Sequence, residues 1–490
     1  MEKCSWFSTL QKKKDKLFNI KNIFLVSSGL VFLAALIWWN LSIPSTEFNI
    51  SEPGMDNRGG EGGSSGEAIN IGAFFELFSE KESALNEVWP RFRGPDFDNI
   101  KKTGTALIDK FSPNDPKIQW SVELGEGHAG PSVYKGKVYL LDYDEEMKAD
   151  MLRCFSLRDG EELWRRWYNV NIKRNHGMSR TIPAVTEDYI LTIGPRSHVM
   201  CVDRESGDLR WGLDIEKNYE TEIPFWYTGQ CPLIDDDKAI IATGGKAIML
   251  AVDCNSGEIL WETPNPGSWK MSHSSIIPWE YEGIKMYVYS AVGGVCAVSA
   301  VGENAGEILW QSSEWSCSVV APSPVCLPDG KVFLTAGYGA GSMVFQIKKQ
   351  NNGFSATKLY DYKPKDGLAC EQQTPVYYNG MLYGILPKDA GPIRNEFICV
   401  HPDNTREIVW SSGKTQRFGL GPYMIADGKF FILNDDGTLS IVEPSRERFI
   451  LLDQIKVFEG HDAWAPLAVA DGYLLLRDAN QMLCIDIRRK

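Results

Sequence analysis

Eight short segments of this chain hold most of the residue types that could bind a ligand or react. In order they are GHAGP with His128, KRNHGMSRTIP with His176 and Arg180, WYTGQCP with Gln230, and WKMSHSS with Lys270 and His273. EWSCSVVAP with Trp315 and Cys317 follows, then CEQQTP with Glu371 and Gln372, QRFGLGP with Arg417, and GHDAWAP with His461, Asp462 and Trp464. Four of the six histidines fall here, which points to a shared concave surface where a few polar groups converge among aromatic rings, the usual form of a small-ligand site. The expected ligand-binding set is His128, His176, Arg180, Gln230, His273, Glu371, Gln372, Arg417, His461, Asp462 and Trp464. None of these is assigned a catalytic role. Metal ligation by His128, His273 and His461 lacks any short ligand spacing, so no metal is expected. A crowded channel mouth would hold the same residue types for structural reasons alone.

Each segment leads into a repeated phrase: a Pro or small-residue start, a short apolar strand, a turn, and a second apolar strand. It reads PSVYKGKVYLL at Pro131, PAVTEDYILTI at Pro183, PLIDDDKAIIA at Pro232 and PVCLPDGKVFL at Pro324. It returns at Pro375, Pro422 and Pro466, with a looser copy near Pro278, so the eight starts lie 44 to 52 residues apart. A period in this range marks a repeat architecture. A second phrase runs in step: CFSLRDGEELW from Cys154, CVDRESGDLRW from Cys201 and AVDCNSGEILW from Ala251, with stretched copies from Ala297 and Cys399. β-Branched and aromatic runs separated by Asp-Gly and Ser-Gly turns give four short strands per unit. A four-stranded sheet cannot bury both faces alone, and packing sheets around an axis buries them. The expectation is an all-β, eight-bladed β-propeller, with seven blades as the alternative should the Pro278 copy be degenerate.

The last unit ends after three strands, and a surplus strand, KIQWSVEL, precedes the first unit. Its Trp120 matches Trp164, Trp211, Trp261, Trp310 and Trp410, the tryptophans that close other units. This strand is expected to complete blade eight and remove a raw edge. The tryptophans are expected to dock on neighbouring blades with their N–H on backbone acceptors. Cys154, Cys201, Cys399 and Cys484 share one third-strand position with Ala251 and Ala297. Packed sheets lie about 10 Å apart and a disulfide needs Cα atoms within about 7 Å, so these four read as buried fillers. Pairing of Cys317 with Cys326 or Cys370 stays open.

The pattern [CA]-[VF]-x-x-x-[ST]-G-[ED]-x-x-W resembles the tryptophan-docking repeat of the pyrroloquinoline-quinone-type, quinoprotein alcohol dehydrogenase-like propellers. The segment WPRFRGPDFDN at Trp89–Asn99 is similar to the opening of bacterial envelope proteins of that superfamily. The resemblance spans Trp89 to Lys490 and implies either a cofactor-dependent dehydrogenase or an inert BamB-like scaffold, because a fold does not fix a function. A dehydrogenase of this kind would hold its flat quinone by stacking, with Ca²⁺ at the quinone carbonyls and an Asp beside it. No adjacent cysteine pair, C-x-x-C-H haem motif or long insertion is present, though Asp462 and Glu371 could be recruited. No cofactor is therefore expected, with the quinone and Ca²⁺ as the alternative.

Residues 22–41 contain the apolar run Ile23–Trp39, preceded by six lysines, and the next basic residue is Arg58. Such a run with that charge bias implies an uncleaved membrane anchor with a cytoplasmic N-terminus and the propeller outside, with a cleaved signal peptide as the alternative. The expected organisation is a basic tail over 1–21, an anchor over 22–41, a Gly/Ser-rich tether over 42–88 with a short amphipathic helix in Ile69–Val88, and the propeller over 89–490. A net charge of −13 without a basic block beyond the tail excludes nucleic acid as a partner. The reading taken is a membrane-tethered, periplasmic, non-catalytic binding protein with envelope or membrane proteins as partners. A quinone-dependent dehydrogenase and a saccharide-binding funnel, with Trp226, Trp269, Trp315 and Trp464 as stacking surfaces, are its alternatives. The sequence does not give the oligomeric state.

Overall fold

The computed structural model describes residues 27–38 and 69–489, apart from 103, 114, 352, 460 and 461. The chain divides into a unit over Met1–Gly60 and a unit over Glu61–Lys490. In the first, residues 27–38 form a helix whose side chains are all exposed. Among the described residues no helix is long and apolar enough to cross a membrane. The rest of the expected anchor, and the tether up to residue 68, lie outside the described residues.

The second unit is eight sheets in chain order, each built on a four-stranded antiparallel blade, with added edge strands on blades one and seven. In the first, Ser132–Tyr134, Lys137–Asp144, Ala149–Ser156 and Glu162–Asn169 pair in sequence. The eighth takes Ala468–Ala470, Tyr473–Arg477 and Gln481–Asp486 from the C-terminus and Ile118–Glu123 from the N-terminal side. The joining register sets Gln481 opposite Glu123 and Cys484 opposite Trp120. The ring has eight blades and closes as expected.

The repeated phrase now has a mechanical meaning. The small residue faces the tryptophan across the ladder in six blades: Cys154 opposes Trp164, Cys201 opposes Trp211, Ala251 opposes Trp261, Ala297 opposes Trp310, Cys399 opposes Trp410 and Cys484 opposes Trp120. Directly opposed side chains lie about 5 Å apart, so only a small partner fits beside an indole. In all eight blades the ladder shifts register just after this position, and such bulges increase twist. Three of the indoles then lie on the turn glycine of the next blade. A Cβ on Gly160 would meet the Trp120 ring at 2.6 Å, one on Gly257 the Trp211 ring at 2.8 Å, and one on Gly306 the Trp261 ring at 3.0 Å. Trp120, Trp211 and Trp410 donate their N–H to the carbonyls of Leu157, Cys254 and Ser445. Trp164 and Trp310 keep buried N–H groups without acceptors. The four filler cysteines are buried, and all ten described cysteines are free, Cys317, Cys326 and Cys370 included.

The expected helix within Ile69–Val88 is corrected. Phe74–Leu77 is a strand on the outer edge of blade one, antiparallel to Glu162–Asn169. The segment FFEL alternates its contacts instead of following a helical stripe. Phe74 stacks on Trp167 at 5.6 Å on one face, while Phe75 on the other lies under the Arg166 guanidinium and against Gly207. An exposed sheet edge offers a row of unpaired backbone groups that a solvated helix does not.

Candidate functional site

The first strands of a propeller line its axis, and here they are stitched to one another at their starts. Ser132 Oγ donates to Pro183 O, the Ile182 N–H reaches Cys231 Sγ, and the Cys231 N–H reaches Ser275 Oγ. The Ser275 N–H then donates to Ser323 Oγ, the Ser323 N–H to Thr374 Oγ1, and the Tyr423 hydroxyl to Thr374 O. The chain of bonds spans the junctions of blades one to seven. It uses the small polar residues next to the repeated Pro starts.

The segment WPRFRGPDFDN crosses this ring as a plug. Val88–Trp89 pairs with the first strand of blade one, and Pro90 O accepts the Val185 N–H of blade two. The Arg91 guanidinium donates to Ile234 O of blade three. Buried Arg93 donates to Phe97 O at 2.7 Å within the plug and to Thr374 O and Pro375 O of blade six. Asn99 donates to Tyr423 O, and Ile100–Lys101 pairs in parallel with the first strand of blade seven. Just upstream, Glu87 accepts from the Asp471 N–H of blade eight at 2.9 Å. Six blades thus hold one segment. Gly94 has φ +76° and lies against the Trp89 ring, where a Cβ would come within 2.7 Å. Only glycine suits that place.

At the starts of the first strands the funnel residues separate into two groups. His128 is 8% exposed and lies against Trp464, with 4.9 Å between ring centroids and a 33° tilt. Arg180 donates through Nε to Trp226 O at 2.6 Å and through Nη2 to Asn175 O and His176 O at 2.9 and 2.7 Å. Trp226 stacks on Tyr338 at 5.6 Å and lies 6.1 Å from the His273 ring. Burial lowers the pKa of His128 and of His273 to about 3, and the nearby Arg180 charge adds to it. Both rings are therefore neutral at pH 7. Burial lowers Arg180 itself to about 10. Across the funnel, burial raises Glu371 and Asp435 above the ordinary carboxylate range, opposed in each case by Lys388. Asp435 accepts the Leu420 N–H at 2.6 Å. Lys388 Nζ lies 5.7 Å from the centre of the Trp464 ring. The Trp464 N–H is buried near the Asp435 carboxyl, whose pKa it helps to hold down, without reaching the geometry of a full hydrogen bond.

The expected set is thus only partly assembled. His128, Arg180, His273, Glu371 and Trp464 come together. Gln230 does not face the funnel: it is buried and clamps both the carbonyl and the N–H of Ala242. Arg417 is spent on Arg394 O and Pro392 O. His176 is exposed, and its carbonyl rather than its ring takes part; Gln372 is half-buried beside Glu371. Asp462 is described, with φ +63°, and His461 lies outside the described residues. Trp315 is buried within blade four, donating to Ser290 Oγ, and Trp269 packs on Gly293 and Gly294. Neither offers a funnel surface. The sequence pattern does not single out Tyr338, Lys388 and Asp435, because they sit in turns after second strands and not in the segments that lead into first strands. Their signal is positional, a polar or aromatic side chain in the second turn of blades five, six and seven.

A family model described as outer membrane protein assembly factor BamB matches residues 102–274 and 148–353, together just over half of the chain. The chain belongs to that family. A comparison with curated protein sequences found no match. Among solved structures it is similar to a europium-containing methanol dehydrogenase, at TM-score 0.55 and 11% identity, covering 81% of this chain and 90% of that one. It is also similar to the quinohemoprotein alcohol dehydrogenase from Comamonas testosteroni, at TM-score 0.54 and 11% identity, covering 82% and 81%. Likeness at this identity establishes the shared propeller fold.

A quinone with calcium does not fit the BamB-family funnel described above. Calcium takes six or more oxygen ligands, yet among the described residues no three His, Cys, Asp or Glu side chains are placed to hold a metal ion. No two cysteines are adjacent. Trp226 and Tyr338 stack on each other at 5.6 Å, leaving no room for a third ring between them.

Proposed function

We propose that this BamB-family propeller is a membrane-tethered, extracytoplasmic binding protein that acts without catalysis on proteins of the cell envelope. The observation that carries this reading is the plug: the chain's own Trp89–Asn99 segment crosses the channel and is held by blades all around it. Protein supplies placement and a cofactor supplies chemistry, and the funnel lacks the placement. The anchor and the outward orientation rest on the apolar run at 23–39 and the lysines before it. Partner binding is supported by the outer edge strand of blade one, where Phe74, Leu77 and Phe78 are 46%, 52% and 44% exposed. An edge strand with apolar side chains suits a partner that adds an extended segment, with backbone bonds giving affinity and alternate side chains giving specificity.

A photo-reactive residue at position 77 or 78, irradiated in intact cells, is expected to give one discrete membrane-associated crosslink. The same probe at Leu359, an exposed apolar position on blade five, should give none. Equal labelling from both sites, or none from either, contradicts the proposal. Accessibility of the propeller to protease added outside the cytoplasmic membrane tests the orientation.

A further inference from the structure

Arg180 is a cation without an ion-pair partner. Among the described residues it makes no salt bridge, and its donors go to backbone carbonyls. Glu126, the carboxylate that acts on it at a distance, is paired with Arg174. A cation drawn out of water without a countercharge is costly. Beside it lies a polar atom with no partner: His128 Nδ1 is buried and unpartnered, and the ring lies against the His176 backbone. In a neutral imidazole whose other nitrogen carries the proton, Nδ1 accepts hydrogen bonds. Opposite stand two carboxyl groups, Glu371 and Asp435. Around them the faces of Trp226, Tyr338 and Trp464 form the rim, with Tyr338 55% exposed.

The geometry points to a binding site for a small hydroxy-carboxylate, the class that includes the sugar acids. The ligand's carboxylate meets the free Nη1 side of the Arg180 guanidinium, which matches a carboxylate in shape and charge. One hydroxyl donates to His128 Nδ1, filling the one polar atom of that ring left unsatisfied. Further hydroxyls donate to Glu371 and Asp435, and the C–H faces of the ligand lie on the aromatic rim. Each group needs a different part of the ligand: a carboxylate without hydroxyls leaves His128 unmet, and a neutral polyol leaves Arg180 unpaired. This site is independent of the envelope-partner reading, since it uses the funnel and not the blade edges.

The test is calorimetric titration of the purified protein with L-lactate and D-glucuronate, with acetate and D-glucose as controls at equal ionic strength. At least one hydroxy-carboxylate is expected to bind at least ten-fold more tightly than either control. Arg180→Gln is expected to abolish that preference, and Glu371→Gln to weaken binding several-fold while keeping the preference over glucose. Should Arg180→Gln fail to fold, because Arg180 also ties four carbonyls, the wild-type preference and the Glu371→Gln result decide the matter. No binding by either hydroxy-carboxylate, equal binding by acetate or glucose, or a folded Arg180→Gln protein with unchanged preference would overturn the proposal.

Discussion

Asp150 shows how far a single side chain can depart from its sequence context. It sits fully buried at the junction of blades one and two. Oδ2 accepts the Tyr168 hydroxyl at 2.6 Å and Oδ1 has no partner. His198 Nδ1 lies 3.2 Å from the same hydroxyl. Burial raises the Asp150 pKa from 3.8 to about 7, and the Asp142 charge adds to it. Below 3.8 the carboxyl is protonated whether the chain is folded or not, so it does not affect stability there. Between 3.8 and about 7 folding takes up a proton, and stability falls as pH rises. Above about 7 the full cost is present. Asp150→Asn removes the charge, keeps an acceptor for Tyr168, and should stabilise the protein by on the order of 1–3 kcal/mol at about pH 8.5. It should have little effect near pH 3.5. Urea unfolding at the two pH values checks this, and an unchanged pH dependence contradicts it. Nothing in the local sequence ADMLRC separates this aspartate from an exposed one; its environment is made by Tyr168 and His198, from other strands. The tryptophans were legible for the opposite reason. Their partners, the turn glycine and the small third-strand residue, recur in the same phrase, so the repeat displays the contact several times over.

The plug is the element that the sequence marks without explaining. Its residues have no strand or helix period, and its partners at Val185, Ile234, Thr374 and Tyr423 are up to 324 positions away, so no local rule brings them together. Arg93 carries most of the connection to blade six. Burial lowers its pKa to about 10, and three carbonyls accept from it. Arg93→Ala would leave the Phe97 and Pro375 carbonyls inside the channel without that donor, while Thr374 O keeps the Tyr423 hydroxyl; an unsatisfied carbonyl costs about 1–3 kcal/mol. We expect a loss of roughly 2–4 kcal/mol overall, because water enters the vacated space and satisfies part of it. Thermal unfolding of the variant measures it, and a midpoint within a degree of wild type contradicts a structural plug. The edge strand at Phe74–Leu77 was misread for a related reason. A stretch as short as FFEL fits either period, and the free edge of blade one decides between them.

At the scale of the molecule, closure holds the ring together. Ile118–Glu123 is the fourth strand of blade eight, 358 or more positions from the third in sequence. Deleting Lys117–Leu124 removes that strand and the Trp120 contact to blade one, and the protein should lose its cooperative transition; a stable, monomeric deletion variant would refute the shared blade. The repeat count, the blade number and the closure were all legible because they depend on spacing and on a deficit at one end matching a surplus at the other. The funnel was legible only in part, since three of its groups, Tyr338, Lys388 and Asp435, come from turns with no repeated phrase. The plugged axis supports the central proposal, that this propeller works by binding and not by quinone chemistry. The most direct test is a dye-linked oxidation assay on purified protein supplied with pyrroloquinoline quinone and Ca²⁺, over a panel of alcohols and sugars. No turnover above the protein-free background is predicted. Turnover that disappears in Glu371→Gln or Asp462→Asn would contradict it.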